Sequence, residues 1–121
     1  MWMSLGKSMK LEEFLKRNNF TYHSDKGVET VIMNDYTFYV VGTRVRIPIP
    51  LPTGKESLDD LVTMGTHYAR ASRLVQGIAM PVTYELKGPS VEVCIDFQSR
   101  EELEQKLIKA IEGIESLRYF M

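Results

Sequence analysis

Residues 28–51 read Val-Glu-Thr-Val-Ile-Met-Asn-Asp-Tyr-Thr-Phe-Tyr-Val-Val-Gly-Thr-Arg-Val-Arg-Ile-Pro-Ile-Pro-Leu, and their period of two decides the fold. Val28, Thr30 and Ile32 alternate with Glu29, Val31 and Met33, which is the spacing of a strand with two distinct faces. Asn34-Asp35 tolerates the left-handed conformations of a tight turn, and Tyr36–Val41 is rich in aromatic and β-branched residues, so a hairpin follows. Val45, Ile47, Ile49 and Leu51 continue the alternation after Gly42. Pro48, Pro50 and Pro52 break into that row at every second residue. Proline donates no ladder hydrogen bond, so this segment is expected to be an edge strand that runs on as extended chain.

Working outward, Phe20 and Tyr22 alternate with Thr21 and His23 before the Asp25-Lys26-Gly27 turn, adding a strand upstream. Residues 9–18 place Leu11, Phe14 and Leu15 at helical spacing, with Ser8 as cap, Glu12 and Glu13 in the first turn and Asn18-Asn19 as the stop. Downstream, Ser57 caps a helix expected to run from Leu58 to about Val75 and to end at Gly77. Met80–Leu86 and Val91–Phe97 form a second hairpin around Lys87-Gly88-Pro89-Ser90, apolar on one face and polar on the other. Ser99-Arg100-Glu101-Glu102 is a capping box, and the last helix carries Leu103, Leu107, Ala110, Ile111, Ile114 and Leu117 on one face. The expected class is α+β, with an antiparallel sheet of about five strands, helices mainly on one face and the order α-β-β-β-α-β-β-α. Tyr119-Phe120-Met121 is too apolar for a solvated tail and is expected to dock.

Composition sets the outer limits. The 121 residues are enough for one domain, read as residues 9–121 after a loose extension over 1–8. At 13.9 kDa, roughly two-thirds of the unfolded surface becomes buried. Fifteen basic against sixteen acidic residues give a net charge of −1, which removes the usual argument for general nucleic-acid binding. One cysteine excludes an internal disulfide and an all-cysteine zinc site. No apolar run approaches the ~18 residues of a membrane span, and the first residues lack a signal-peptide core, so a cytoplasmic location is expected. Sparse asparagine and glutamine fit a heat-adapted source.

Candidate chemistry is thin. His23 and His67 are the only histidines. With Cys94 and Asp96 they supply metal-ligand atoms, and His67 with Cys94 supplies a nucleophile and base, but neither set has the local spacing of a known motif. Thr53-Gly54-Lys55 lacks the first glycine of a phosphate loop. No cofactor or metal is therefore expected. Arg44 and Arg46 share a face of the proline-bearing strand, and Arg70 and Arg73 lie one turn apart on the middle helix. Together they are a candidate anion- or nucleic-acid-binding set, against the plainer reading of charges that blunt a sheet edge.

The apolar pattern says more. Val31, Met33, Tyr39 and Val41 stand in the phase opposite Val28, Ile32, Phe38 and Val40, so these strands are apolar on both faces. The middle helix carries two stripes: Leu58, Leu61, Val62, Gly65, Ala69 and Ser72, and Met64, His67, Ala71, Leu74 and Ile78. Small residues in the first stripe suit close approach to the protein's own core. Met64, His67, Ala71 and Leu74, with Val31, Met33, Tyr39 and Val41, then form the expected interface to a second subunit or a protein segment, because monomers rarely expose large apolar patches.

From Met9-Lys10-Leu11-Glu12-Glu13-Phe14-Leu15 to the closing Leu103–Phe120 helix, the element order and size resemble the type III secretion chaperone-like fold, including the YbjN-like proteins. The resemblance implies a small homodimer that binds protein segments without catalysis. It does not imply a role in secretion.

Overall fold

The computed structural model describes residues 10–115. In chain order the elements are α1 (Leu11–Arg17), β1 (Thr21–Asp25), β2 (Val28–Ile32), β3 (Thr37–Val41), β4 (Arg44–Pro50), α2 (Leu58–Ile78), β5 (Thr83–Lys87), β6 (Ser90–Asp96) and α3 (Arg100–Glu115). All ladders are antiparallel, and the strand order is β1-β2-β3-β4-β6-β5. The protein is thus α+β as expected, with six strands rather than about five and four of them before the middle helix. The expectations for residues 1–8 and for Tyr119-Phe120-Met121 fall outside the described residues.

One face of the sheet meets the three helices. Val31, Phe38, Val40, Val45, Ile47, Val93 and Ile95 pack in a single core with Leu11, Phe14 and Leu15 of α1, Ala71, Leu74 and Ile78 of α2, and Leu103, Leu107 and Ile111 of α3. Register corrects the assignment of faces. The Met33 amide donates to the Tyr36 carbonyl at 2.9 Å across the Asn34-Asp35 turn, and Val31 lies opposite Phe38. Directly opposed residues share a face. Val31 and Met33 therefore belong to the core with Phe38 and Val40, while Tyr39 and Val41 share the open face with Val28 and Ile32.

A second correction concerns β4, which is central rather than an edge, between β3 and β6. Its prolines are tolerated because the β3–β4 ladder ends at Tyr39–Arg46, before Pro48. From Ile47 onward β4 has an edge on its β3 side, and no neighbour there requires the missing amides.

Local signals hold the helix ends. Ser57 Oγ accepts from the Asp60 amide at 3.1 Å, and Ser99 Oγ accepts from the Glu102 amide at 3.1 Å. The Glu102 carboxylate accepts in turn from the Gln98 amide. The middle helix passes Gly77 and closes on Ala79, in the left-handed region at φ 59°. Gly77 serves close approach instead: a Cβ there would lie 3.0 Å from Ala110 Cβ of α3. Gly77→Val should therefore wedge α2 from α3 and destabilise the fold by roughly 1–3 kcal/mol. Gly113→Ala, whose added Cβ meets nothing within 4 Å, should be neutral or slightly stabilising. Thermal melts of the two variants check this, and equal melting temperatures would count against the close packing.

Candidate interaction surface

The middle helix is too long for the core beneath it. Its 21 residues span about 31 Å, yet its fully buried side chains, Ala71, Leu74 and Ile78, all lie in the last eight positions. The stripe expected to meet a partner is thus the one that faces the sheet: Ala71 and Leu74 are core residues, and Met64 and His67 are half-buried. The stripe expected to face inward points out instead, with Leu58 76%, Leu61 43% and Val62 62% exposed. Gly65 has no neighbour within 4 Å of an added Cβ among the described residues.

The approach to α2 is fixed. The Leu51 amide donates to the Pro89 carbonyl at 2.9 Å, anchoring the extended tail of β4. The Glu56 carboxylate accepts from the Thr53 amide, the Thr53 hydroxyl and the Gly54 amide. These bonds, led by the Thr53 amide, hold its pKa down to about 2. Between this tail and α2 runs a groove of about 370 Å³, lined by Ile49, Pro50, Leu51, Pro52, Leu61, Met64, Gly65 and Tyr68. A second hollow of about 190 Å³ shares Ile49 and Tyr68 with it and continues to Tyr84 of β5. Of the ten large apolar side chains exposed among the described residues, Leu51, Leu61, Tyr68 and Tyr84 line these two hollows, and Leu58, Val62 and Leu86 belong to the same helix and strand. The other three, Val28, Ile32 and Val41, form a smaller strip on the open face of the sheet.

Across β4, β5 and β6 the open face is ion-paired. Arg44 Nε and Nη2 donate to the Asp96 carboxylate at 2.7 and 3.1 Å. Arg46 donates from Nε to Glu92 at 2.7 Å and from Nη2 to Glu85 at 3.1 Å. Glu85 also lies 3.6 Å from both Arg44 and Lys87. The bonds from Arg44 hold the Asp96 carboxyl below its ordinary value. Cys94 lies among these groups at 1% exposure, and burial, with Glu85 adding to it, pushes its thiol up, the reverse of an activated nucleophile. Glu85, Glu92 and Cys94 each place a ligand atom within 4.8 Å of the others, but Arg46 engages both carboxylates.

The candidate chemical sets do not assemble. His67 sits on α2, on the helix side, whereas Cys94 and Asp96 face the open side of β6, so the sheet separates them. His23 is exposed on β1. Arg44 and Arg46 share the open face, but Arg70 is on the helix side, where its Nε donates to Asp35 at 3.0 Å and its Nη1 lies 3.5 Å from Glu115. Arg73 lines the hollow between α2 and α3 with Lys109. Tyr68, Tyr84 and Leu86 are the surface residues that one-dimensional patterning missed. The signal for Tyr84 and Leu86 was an apolar phase on a strand at the sheet's end, uncovered among the described residues. No helix among the described residues is long and apolar enough to cross a membrane. No protein-family model matches this chain, and no curated protein or solved structure matches it.

Proposed function

We propose that this protein is a non-catalytic interaction module, chaperone-like in its element order, that works as a homodimer. The carrying observation is an apolar groove to which Leu51, Leu61 and Tyr68 contribute, with Tyr84 on the adjoining hollow and Leu58, Val62 and Leu86 exposed on the same helix and strand. From their exposures these side chains present on the order of 800 Å² to water, about one partner's share of a standard interface. Exposed apolar surface of that extent beside a groove suits a binding face. Its tyrosines and leucines can be desolvated without stranding a charge, which suits a protein surface better than a polar ligand.

Sedimentation velocity at micromolar concentration tests the reading. The wild type should sediment as a dimer of the 13.9 kDa chain. Leu61→Glu combined with Tyr68→Glu should weaken association by about 100-fold or more, with the far-UV circular dichroism unchanged. A wild type that stays monomeric would overturn the proposal.

A further inference from the structure

Resting on that reading, we infer that two copies join edge to edge through β5, antiparallel about a two-fold axis at Glu85, so that two six-stranded sheets become one of twelve strands. The prolines of β4 determine which backbone groups are free. Pro48 and Pro50 lie opposite Glu92 and Ser90 of β6 and have no amide to give, so these are non-hydrogen-bonded pairs. Ladder pairs alternate, so Val91, Val93 and Ile95 turn their backbone groups to β4, while Ser90, Glu92 and Cys94 turn theirs to β5. On β5 the partners of those residues are Lys87, Glu85 and Thr83. Tyr84 and Leu86 are left with amides and carbonyls pointing off the sheet. They are also the residues whose side chains stand 68% and 77% exposed.

The other free edge, β1, is finished differently. α1 contacts β1, and on the helix face the Tyr22 hydroxyl donates to Glu29 at 2.6 Å, so a polar pair stands there in place of exposed apolar side chains. Among the described residues no element but β6 pairs with β5, and an open edge with an apolar face is a template for another strand. With the axis at Glu85, Tyr84 of one copy pairs with Leu86 of the other, twice, giving four backbone hydrogen bonds and two aromatic–aliphatic contacts on the helix side. On the open side the two Glu85 carboxylates approach each other, but each already lies among Arg44, Arg46 and Lys87. The edge is therefore self-complementary.

Glu85 and its symmetry mate would form a non-hydrogen-bonded pair with Cα atoms about 4.5 Å apart, inside disulfide range. The test is Glu85→Cys in a Cys94→Ala background, oxidised at micromolar concentration. A covalent dimer is expected, with none from Lys26→Cys at the β1–β2 turn. Leu86→Pro removes an outward amide while leaving the β5–β6 ladder intact, and should weaken dimerisation by about 100-fold. A non-covalent dimer that cross-links through Tyr68→Cys but not through Glu85→Cys would overturn the edge pairing and leave self-association standing. A monomeric wild type would overturn both.

Discussion

Replacing Leu74 with glutamate should leave no folded protein at 25 °C. Leu74 is 0% exposed, on the face of α2 that packs into the single core. Removing its buried side chain costs about 2–5 kcal/mol. A carboxylate in its place finds no partner in an apolar core, and burying it ionised, or protonating it to avoid that, costs several kcal/mol more. A domain of this size has a net stability of roughly 5–15 kcal/mol, so the sum reaches or exceeds the margin. The same substitution at Leu61, 43% exposed on the same helix, should leave the fold intact and act only on association. Circular dichroism and a thermal melt of the two variants separate these outcomes. A cooperative Leu74→Glu protein that sediments as a monomer would mean that the two stripes of the helix had been exchanged.

That pair of positions also marks the limit of what the chain reveals by itself. The strands were legible because alternation is local, and the caps at Ser57 and Ser99 because each acts within three residues. The faces of β2 and β3 were misassigned by phase alone, because the turn between them sets the pairing. Two turn residues put 33 opposite 36 and 31 opposite 38, so Val31 must share a side with Phe38 rather than with Tyr39. The orientation of α2 was not legible, because both stripes are apolar. It is decided by the close contact of Gly77 with Ala110, 33 positions along the chain. The proline-bearing strand misled for a related reason. Proline reports that one side of a strand is unpaired at that residue, and β4 meets this demand within the sheet, where β3 parts from it. For the interaction surface, the apolar phases were visible in one dimension, but not that Tyr68, Tyr84 and Leu86 would stay exposed. That Tyr68 and Tyr84 line one hollow depends on β5 lying beyond β6, a matter of strand order.

Toward the β1 edge of the sheet, Arg100→Met should produce the largest loss of stability from any single ion pair among the described residues. Arg100 follows the Ser99 cap, so the start of α3 delivers its guanidinium to three places. It donates through Nη1 and Nη2 to the Glu29 carboxylate at 2.6 and 2.5 Å, through Nε to Glu104 at 3.0 Å, and through Nη1 to the Gly42 carbonyl at 3.0 Å. Glu29 and Glu104 are only 12% and 13% exposed, so removing the arginine leaves two poorly solvated carboxylates. Tyr22 remains, because burial first and Glu29 second push its hydroxyl up to about 12 and keep it a donor, but one neutral bond cannot replace two charged ones. The Arg100 side chain is 36% exposed, so the full penalty of a buried pair does not apply, and the loss should be about 2–3 kcal/mol at pH 7. The pH dependence identifies the cause. Burial opposes ionisation of Glu29, yet the bonds from Arg100 and Tyr22 outweigh it and hold the folded carboxyl below its ordinary 4.5. A depressed folded value stabilises above the unfolded one and is lost as the pH falls from about 4.5 through the folded value. Without Arg100 the burial is no longer outweighed in this way, so the variant should lose less on acidification than the wild type. The gap between the two should therefore narrow between pH 7 and about pH 4 in urea denaturation curves. A deficit that stays constant over that range would assign the loss to the packing of the arginine stem rather than to its charge.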